Sequence, residues 1–128
     1  MKIIYYSLTG NIARFLSRAG IDAIPLAEVH ELHDPFILVT GTFGFGEVPK
    51  PVADFLTLHH TFLRGVAVSG NKNFGQNFGK AGDTISAQYN VPLLMKFELH
   101  GNAHDSRLFI EKVAELDENT RREKIQSY

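Results

Sequence analysis

The sequence predicts an α/β fold in which a parallel five-stranded sheet is covered by helices on both faces. Short apolar runs alternate along the chain with amphipathic helical patterns, as in proteins whose parallel strands are joined by right-handed crossovers. Two of these runs, 36–40 and 65–68, are apolar almost without interruption, which is typical of strands buried on both faces of a parallel sheet. These two observations define the fold class.

The first third of the chain predicts two strands and one helix. Residues 2–6 form the first strand, and a short loop leads from it to a helix that ends near Gly20. In that helix, apolar side chains recur at the spacing i, i+3, i+4 and i+7. Residues 23–26 form a short, weak strand, which we expect at an edge of the sheet because Pro25 has no N–H to donate.

The middle of the chain contains the two central strands. Strand 36–40 is followed by a glycine-containing loop and by a helix whose start is marked by Pro49 and Pro51. Strand 65–68 opens into a long loop over residues 69–83, and another helix follows. Each central strand is therefore followed by an unusual loop and then by a helix.

The C-terminal part predicts one strand and one helix. Residues 93–99 alternate in polarity, which indicates a strand half open to solvent at the second edge of the sheet. A last helix covers residues 106 to about 116, and the charged residues 119–128 are expected to form a disordered tail after a single domain over residues 1–118. Two buried strands between weaker edges fit the flavodoxin-like strand order 2-1-3-4-5.

Composition excludes several classes of function. The chain has no cysteine, which excludes disulfides, thiolate catalysis, iron–sulfur clusters and cysteine-ligated zinc. A net charge of −1 provides no basic field for nucleic acid and no polybasic patch for a membrane. No apolar run approaches the ~20 residues of a membrane span, and the N-terminus lacks the pattern of a signal peptide, so we expect a cytoplasmic protein.

Three unusual loops each follow a strand, and parallel strands bring all three to the carboxyl edge of the sheet. Ligands bind at this edge in doubly wound folds, at the point where the strand order reverses. The first loop contains hydroxyl side chains and a glycine but no Lys or Arg, and it leads into a helix. Free N–H groups and the positive end of a helix dipole suit such a loop to a phosphate. Its candidate binding residues are Ser7, Leu8, Thr9, Gly10, Asn11 and Ile12.

The other two loops predict a flat ring beside the phosphate. Their glycines let a ring approach the backbone closely, and their phenylalanines offer faces for stacking. A phosphate pocket next to such loops describes a mononucleotide with a planar ring system, and FMN fits this description best. The candidate binding residues are Thr42, Phe43, Gly44, Phe45 and Gly46 in the second loop and Ser69, Gly70, Asn71, Asn73, Phe74 and Gly75 in the third.

Several segments resemble the NrdI family of flavodoxin-like proteins. The first loop, Ser7-Leu8-Thr9-Gly10-Asn11, resembles the flavodoxin phosphate loop. The more specific segments are Gly44-Phe45-Gly46-Glu47-Val48-Pro49, Gly65-Val66-Ala67-Val68-Ser69-Gly70-Asn71-Lys72-Asn73-Phe74-Gly75, and Val91-Pro92 with Lys96-Phe97-Glu98-Leu99-His100-Gly101. They follow one another in the order that the family has.

The resemblance implies a small FMN protein that serves class Ib ribonucleotide reductase. In this family the reduced flavin reacts with molecular oxygen, and the resulting superoxide- or peroxide-level oxidant helps the manganese small subunit to generate its tyrosyl radical. The flavin carries the chemistry, so no catalytic side chain is expected, and the protein is an accessory of cofactor assembly rather than a turnover enzyme. The sequence does not name the reductant that supplies the flavin with electrons.

The resemblance also implies roles for individual residues. The phosphate would be held by Ser7, Thr9, Gly10 and Asn11. Residues 42–46 would border the isoalloxazine ring, and its other wall would consist of Asn71, Phe74 and Gly75. Ile12 departs from the pattern because many flavodoxins have a hydroxyl residue there, and this change removes one side-chain contact to the phosphate.

Two other functions stay open at this point. A general electron-transfer flavodoxin would share the fold and the FMN, but such carriers typically surround the ring with acidic residues. Here the second and third loops contain Lys50, Lys72 and Lys80 against Glu47 and Asp83. A flavin-free binding module would share only the fold, which alone never proves function.

Some features also have simpler interpretations. Hydroxyl and amide side chains before a helix often serve only as an N-cap, and Phe74 and Phe78 can be core residues at the sheet edge. Asp83 and Glu98 can be ordinary surface charges. The histidines occur in pairs without a carboxylate cluster at ligand spacing, so we expect no native metal site.

Overall fold

A computed structural model describes residues 1–126 of the chain and contains a five-stranded parallel sheet. The strands pair in the order β2-β1-β3-β4-β5, which confirms the predicted flavodoxin-like topology. The bounds are β1 (Lys2–Tyr6), β2 (Ile24–Pro25), β3 (Phe36–Thr40), β4 (Leu63–Gly70) and β5 (Leu93–Glu98).

Helices cover both faces of the sheet. Phe15 of the first helix and Phe109 of the last are buried on one face, whereas Val52 and Ile85 of the two middle helices are buried on the other. No helix in the described part of the chain combines the length and the apolar character that crossing a membrane needs. The helix bounds are α1 (Asn11–Arg18), α2 (Lys50–His59), α3 (Lys80–Tyr89) and α4 (Ala103–Gln126).

The burial of the strands follows their positions in the sheet. All five residues of β3 are buried, as expected for a central strand with a helix layer on each side. The two-residue β2 lies at one edge and β5 at the other, where Glu98 is exposed. Strand β4 is longer than its apolar run predicts, because its backbone continues to pair with β5 as far as Gly70.

The last helix corrects the sequence prediction at both ends. It begins at Ala103, where Asn102 and Asp105 exchange side-chain-to-backbone hydrogen bonds, and not at residue 106. It continues to Gln126, so the expected end near 116 is wrong and residues 119–126 are helical rather than disordered. Ion pairs one turn apart stabilise this extension, and they join Asp117 to Arg121 and Glu118 to Arg122. Ser127 and Tyr128 lie outside the described residues.

Candidate functional site

The loops after β1, β3 and β4 surround one cleft at the carboxyl edge of the sheet. The cleft has a volume of about 200 Å³ and lies at the point where the strand order reverses. The structure therefore brings parts of all three predicted loops together. The predicted residues that line the cleft are Ser7, Leu8, Thr9, Asn11, Ile12, Thr42, Gly44, Ser69, Gly70, Asn71 and Phe74.

The lining of the cleft differs in part from the predicted set. Gly10, Phe43, Phe45, Gly46, Asn73 and Gly75 lie in the same loops but do not line it. Half of the residues that the sequence prediction missed are at or directly after strand ends, and a search of every strand end would have found Leu99 after β5. The additional lining residues are Tyr6, Gly41, Pro49, Asn77, Gly79 and Leu99.

The first loop leaves the N-terminus of α1 open. Gly10 occupies the N-cap position with φ 82°, no side chain caps the helix, and the first turn contains no acidic residue. The Ser7 hydroxyl instead accepts a hydrogen bond of 3.1 Å from the Gly10 N–H, which holds the loop in its turn. The interpretation of this segment as an ordinary N-cap is therefore wrong. The first amides of α1 are available to an anion.

A guanidinium lies close to this loop, although the loop itself has no cation. Arg14 Nη2 is 4.0 Å from the point that a Cβ on Gly10 would occupy. The spacing explains this position, because residue i+4 of a helix lies above residue i on the same face. Arg14 is absent from the predicted site residues because it lies in the first turn of α1 and not in the loop before it.

The second loop closes on itself as a tight turn. The Phe43 N–H donates to the Glu47 carbonyl at 2.9 Å, and the Glu47 N–H donates to the Phe43 carbonyl at 2.8 Å. Between them Gly46 has φ 119°, and a Cβ there would lie 3.0 Å from Lys80 Cβ. The tip of the loop therefore packs against the start of α3. The Thr42 hydroxyl donates to the Ser69 carbonyl at 3.1 Å and joins the second loop to the third.

Three phenylalanines of the second and third loops are exposed, and one of them lines the cleft. Phe43 is 58% exposed and Phe45 is 73% exposed. Phe74 is 45% exposed and lines the cleft, so the interpretation of Phe74 as a core residue is wrong. The rings of Phe45 and Phe74 meet edge to face with centroids 6.1 Å apart, and this contact connects the second and third loops.

The charged groups around the cleft are mostly on the surface. Lys72 and Lys80 are exposed on the third loop and at the start of α3. Lys50 follows the cleft residue Pro49 and forms a 2.8 Å ion pair with Asp54. The hydrogen bond that Lys50 donates to Asp54 and the negative charge of Asp54 raise the pKa of Lys50 above its ordinary value.

The family model described as NrdI flavodoxin-like matches residues 3–113 of the chain. The chain belongs to the NrdI flavodoxin-like family. This confirms the resemblance found in the sequence, and the NrdI match includes all three loops of the cleft and ends within α4.

A solved flavodoxin has the same fold as this NrdI-family chain. The structure of a short-chain flavodoxin associated with a non-canonical PDU bacterial microcompartment superimposes with a TM-score of 0.76, covering 92% of this chain and 96% of that chain. The two sequences are 16% identical, so the likeness concerns the fold alone.

Proposed function

We propose that this NrdI-family chain binds FMN in the cleft and supplies oxidant for assembling the dimanganese–tyrosyl radical of a class Ib ribonucleotide reductase small subunit. The observation that carries the proposal is the meeting of an uncapped helix N-terminus and two glycine-rich loops in one cleft, within a NrdI family match over residues 3–113.

The phosphate of FMN suits the first loop. Open amides at the start of α1 are donors for phosphate oxygens, and the Ser7 and Thr9 residues add hydroxyl groups at the cleft wall. Arg14 adds a positive charge near Gly10, which the loop itself lacks. The residues present therefore offer the terminal phosphate of FMN backbone N–H donors, side-chain hydroxyls and the positive charge of Arg14.

The isoalloxazine ring suits the space between the second and third loops. Gly44 and Gly70 line this space, with Gly44 beside the Glu47 carboxylate and Gly70 against the backbone of Gly79, and Phe74 offers a ring face at the wall. Pockets that bury a drug-sized ligand have volumes of about 300–1,000 Å³. This cleft of about 200 Å³ is smaller, so a mononucleotide in it would leave part of its ring edge open to solvent.

The chain's own residues bind and orient the cofactor, and no side chain is needed as acid, base or nucleophile. When bound and reduced, FMN would be oxidised by molecular oxygen, which leaves as the superoxide- or peroxide-level oxidant for the small subunit. An open ring edge would give oxygen and a partner access to the flavin. We propose a cytoplasmic location for this exchange; the reductant is unidentified.

The surface charges favour this function over a general electron carrier. Lys72 and Lys80 are exposed beside the cleft and oppose the Glu47 carboxylate next to Gly44, and the nearby Asp83 is paired with Lys96. A ring in these surroundings would meet less negative charge than in an acidic pocket, and its anionic reduced form would be easier to reach. An oxidant-producing flavoprotein needs the fully reduced form.

The deciding experiment combines the chain, reconstituted with FMN and reduced, with a manganese-loaded class Ib small subunit and oxygen. We expect electron paramagnetic resonance to detect a tyrosyl radical well above the yield with free reduced FMN. A yellow, FMN-loaded protein that gives no more radical than free FMN would favour the electron carrier. A chain that stays colourless after reconstitution would contradict both flavin functions.

A further inference from the structure

The third loop of the cleft is held at both ends by side chains of one neighbouring strand. We call residues 71–79 the ring-flanking loop, because Asn71, Phe74, Asn77 and Gly79 in it line the cleft. The alternate residues Lys96 and Glu98 of the edge strand β5 each contact one end of this loop. The sequence alone allows Glu98 to be an ordinary surface charge.

Glu98 contacts the first end of the ring-flanking loop. Its Oε2 accepts a hydrogen bond of 3.0 Å from the backbone N–H of Lys72. The Lys72 N–H is the first of a short helical segment over Lys72–Asn77. A carboxylate is favourable there because the first N–H groups of a helical segment have no acceptor within it. The Glu98 contact thus fixes the point at which the chain leaves the sheet and enters the loop.

Lys96 contacts the other end. Its Nζ donates to the Phe78 carbonyl at 3.1 Å and to Asp83 Oδ2 at 2.6 Å, so it joins the end of the loop to α3. Its aliphatic part is in close contact with the loop backbone, since a Cβ on Gly79 would lie 2.9 Å from Lys96 Cδ. The Lys96 side chain is 28% exposed and Asp83 is 52% exposed, so the ion pair is open to water on the Asp83 side and the contacts of Lys96 with the loop backbone are the better shielded part.

The loop has few other supports between these two ends. The Asn71 side chain accepts from the Asn73 N–H at 2.9 Å, and two backbone bonds close short turns within the loop. At its centre Phe74 is 45% exposed and meets the 73% exposed ring of Phe45 edge to face, and Gly75 has φ 56°, a backbone conformation that only glycine adopts without strain. The position of the cleft wall therefore depends on where the two ends are held.

We propose that Lys96 and Glu98 are positioning residues that hold the ring-flanking loop at both ends and so set how tightly its wall closes on the flavin ring. The inference rests on the proposed function, because it names the residues that shape the same site. Neither side chain lines the cleft, so both act through the loop backbone. The charge of Lys96 is balanced by its ion pair with Asp83. Lys96 therefore affects the site mainly by holding the loop backbone in position and less by its charge.

A double variant distinguishes the positioning of the loop by Lys96 from an effect of the Lys96 charge. Lys96→Met combined with Asp83→Asn removes one charge of each sign, so the net charge is unchanged. The hydrogen bond to the Phe78 carbonyl is lost. The matched control is Lys2→Met with Asp34→Asn, which removes a 3.0 Å ion pair between β1 and the loop before β3. Glu98→Ala is a second, independent variant, and Glu98→Gln keeps an oxygen acceptor.

Two measurements are made on each variant. In the protein without cofactor, we expect amide hydrogen exchange over residues 71–79 to become about tenfold faster in the Lys96/Asp83 double variant and in Glu98→Ala. In FMN titrations, we expect both to bind FMN and riboflavin about tenfold more weakly and by the same factor, because the phosphate loop is unchanged. Glu98→Gln should recover most of the loss, and the Lys2/Asp34 control should match the wild type.

The outcomes distinguish this inference from the function on which it rests. Unchanged exchange over residues 71–79 in both the double variant and Glu98→Ala would overturn it. Faster exchange with unchanged FMN affinity would also overturn it. In that case the contacts at the loop ends would not determine how closely the cleft wall approaches the flavin ring. A wild-type protein that binds no FMN would overturn the proposed function, and the exchange measurement would still decide whether the two side chains hold the loop.

Discussion

Gly82 shows how one missing side chain sets the distance between a helix and the sheet. A Cβ at this position of α3 would lie 2.6 Å from Val68 Cγ1 and 2.8 Å from Leu93 Cδ1. Both neighbours are branched side chains held in the sheet, so neither can withdraw easily. The helix therefore packs closer to β4 and β5 than any other residue would allow.

We expect Gly82→Ala to lower the free energy of unfolding by about 1–3 kcal/mol, because overpacking forces the helix or its neighbours to shift. Urea denaturation followed by circular dichroism measures this change. Gly41→Ala is the matched control, since a Cβ there would lie 3.9 Å from Ile12 Cδ1. That control should be neutral or slightly stabilising, and an equal loss in both variants would contradict the packing explanation.

Arg14 is a second single residue whose substitution tests the site, because it would act on the phosphate of FMN. Its guanidinium lies beside Gly10, so we expect Arg14→Gln to weaken FMN binding about threefold to tenfold, or about 0.7–1.4 kcal/mol. Riboflavin, which has no phosphate, should bind both proteins equally. Fluorescence titration measures both affinities, and Arg18→Gln, one turn further along α1, is the control. A parallel loss of riboflavin affinity would show that Arg14 does not act on the phosphate.

At the scale of elements, three aromatic rings join α1, β5 and α4 on one face of the sheet. The ring of Phe15 stacks on Phe97 with centroids 4.0 Å apart and meets Phe109 edge to face at 5.5 Å. All three side chains are buried, and the backbone at Gly101 approaches Phe15 closely. The cluster fixes α4 on the sheet next to the end of β5.

We expect Phe109→Ala to cost about 3–5 kcal/mol of the free energy of unfolding, since it removes a fully buried ring and leaves a cavity. Ile110→Ala changes the next residue of the same helix, whose side chain is 44% exposed, and should cost less than about 1 kcal/mol. Chemical denaturation of both variants checks the difference. Similar losses would mean that α4 contributes by helix formation and not by this contact.

The elements also show what a sequence can and cannot predict. The order of strands was predictable, because continuous burial of β3 and the proline in β2 are direct consequences of position in a sheet. The positions at which β4 and α4 end were not predictable from the sequence. Strand pairing at Gly70 and helix extension to Gln126 depend on backbone bonds and surface ion pairs, which leave no apolar pattern.

The candidate site was predictable to the level of loops but not of side chains. The open N-terminus of α1 depends on Gly10 adopting φ 82°, and glycine permits this conformation without requiring it. Phe43 and Phe45 were expected at the ring, yet in the structure they stand outside the cleft and Phe74 lines it. Lys96 reaches the third loop from a neighbouring strand, a contact that no local spacing reveals.

At the scale of the whole molecule, the balance of charge around the cleft bears on the reduction of a bound flavin. The net charge of the chain is −1, and the two exposed lysines beside the cleft, Lys72 and Lys80, oppose the acidic groups. We expect the two one-electron reduction potentials of the wild type to lie closer together than in an acidic carrier flavodoxin. A spectroelectrochemical titration that finds a very low second potential would contradict this.

Lys72→Glu with Lys80→Glu should lower the second potential, because added negative charge disfavours the anionic reduced flavin. Each unit charge at about 10 Å in water contributes about 0.4 kcal/mol, and salt should reduce the shift. Arg107→Glu with Lys112→Glu makes the same change in net charge on α4. A redox titration that finds equal shifts in the two double variants would assign the effect to net charge and not to the cleft.

The strand order determines how the sheet can be assembled while the chain is being synthesised. After β1, each new strand joins an existing edge: β2 on one side, then β3, β4 and β5 in succession on the other. No strand has to be inserted between two that are already paired, so the sheet can grow from the N-terminus on the ribosome. The cleft includes Leu99, however, and its wall is held from β5. A ligand that needs the complete cleft can therefore bind only after β5 has joined the sheet, and until then the growing sheet presents β3 or β4 as an open edge to its neighbours.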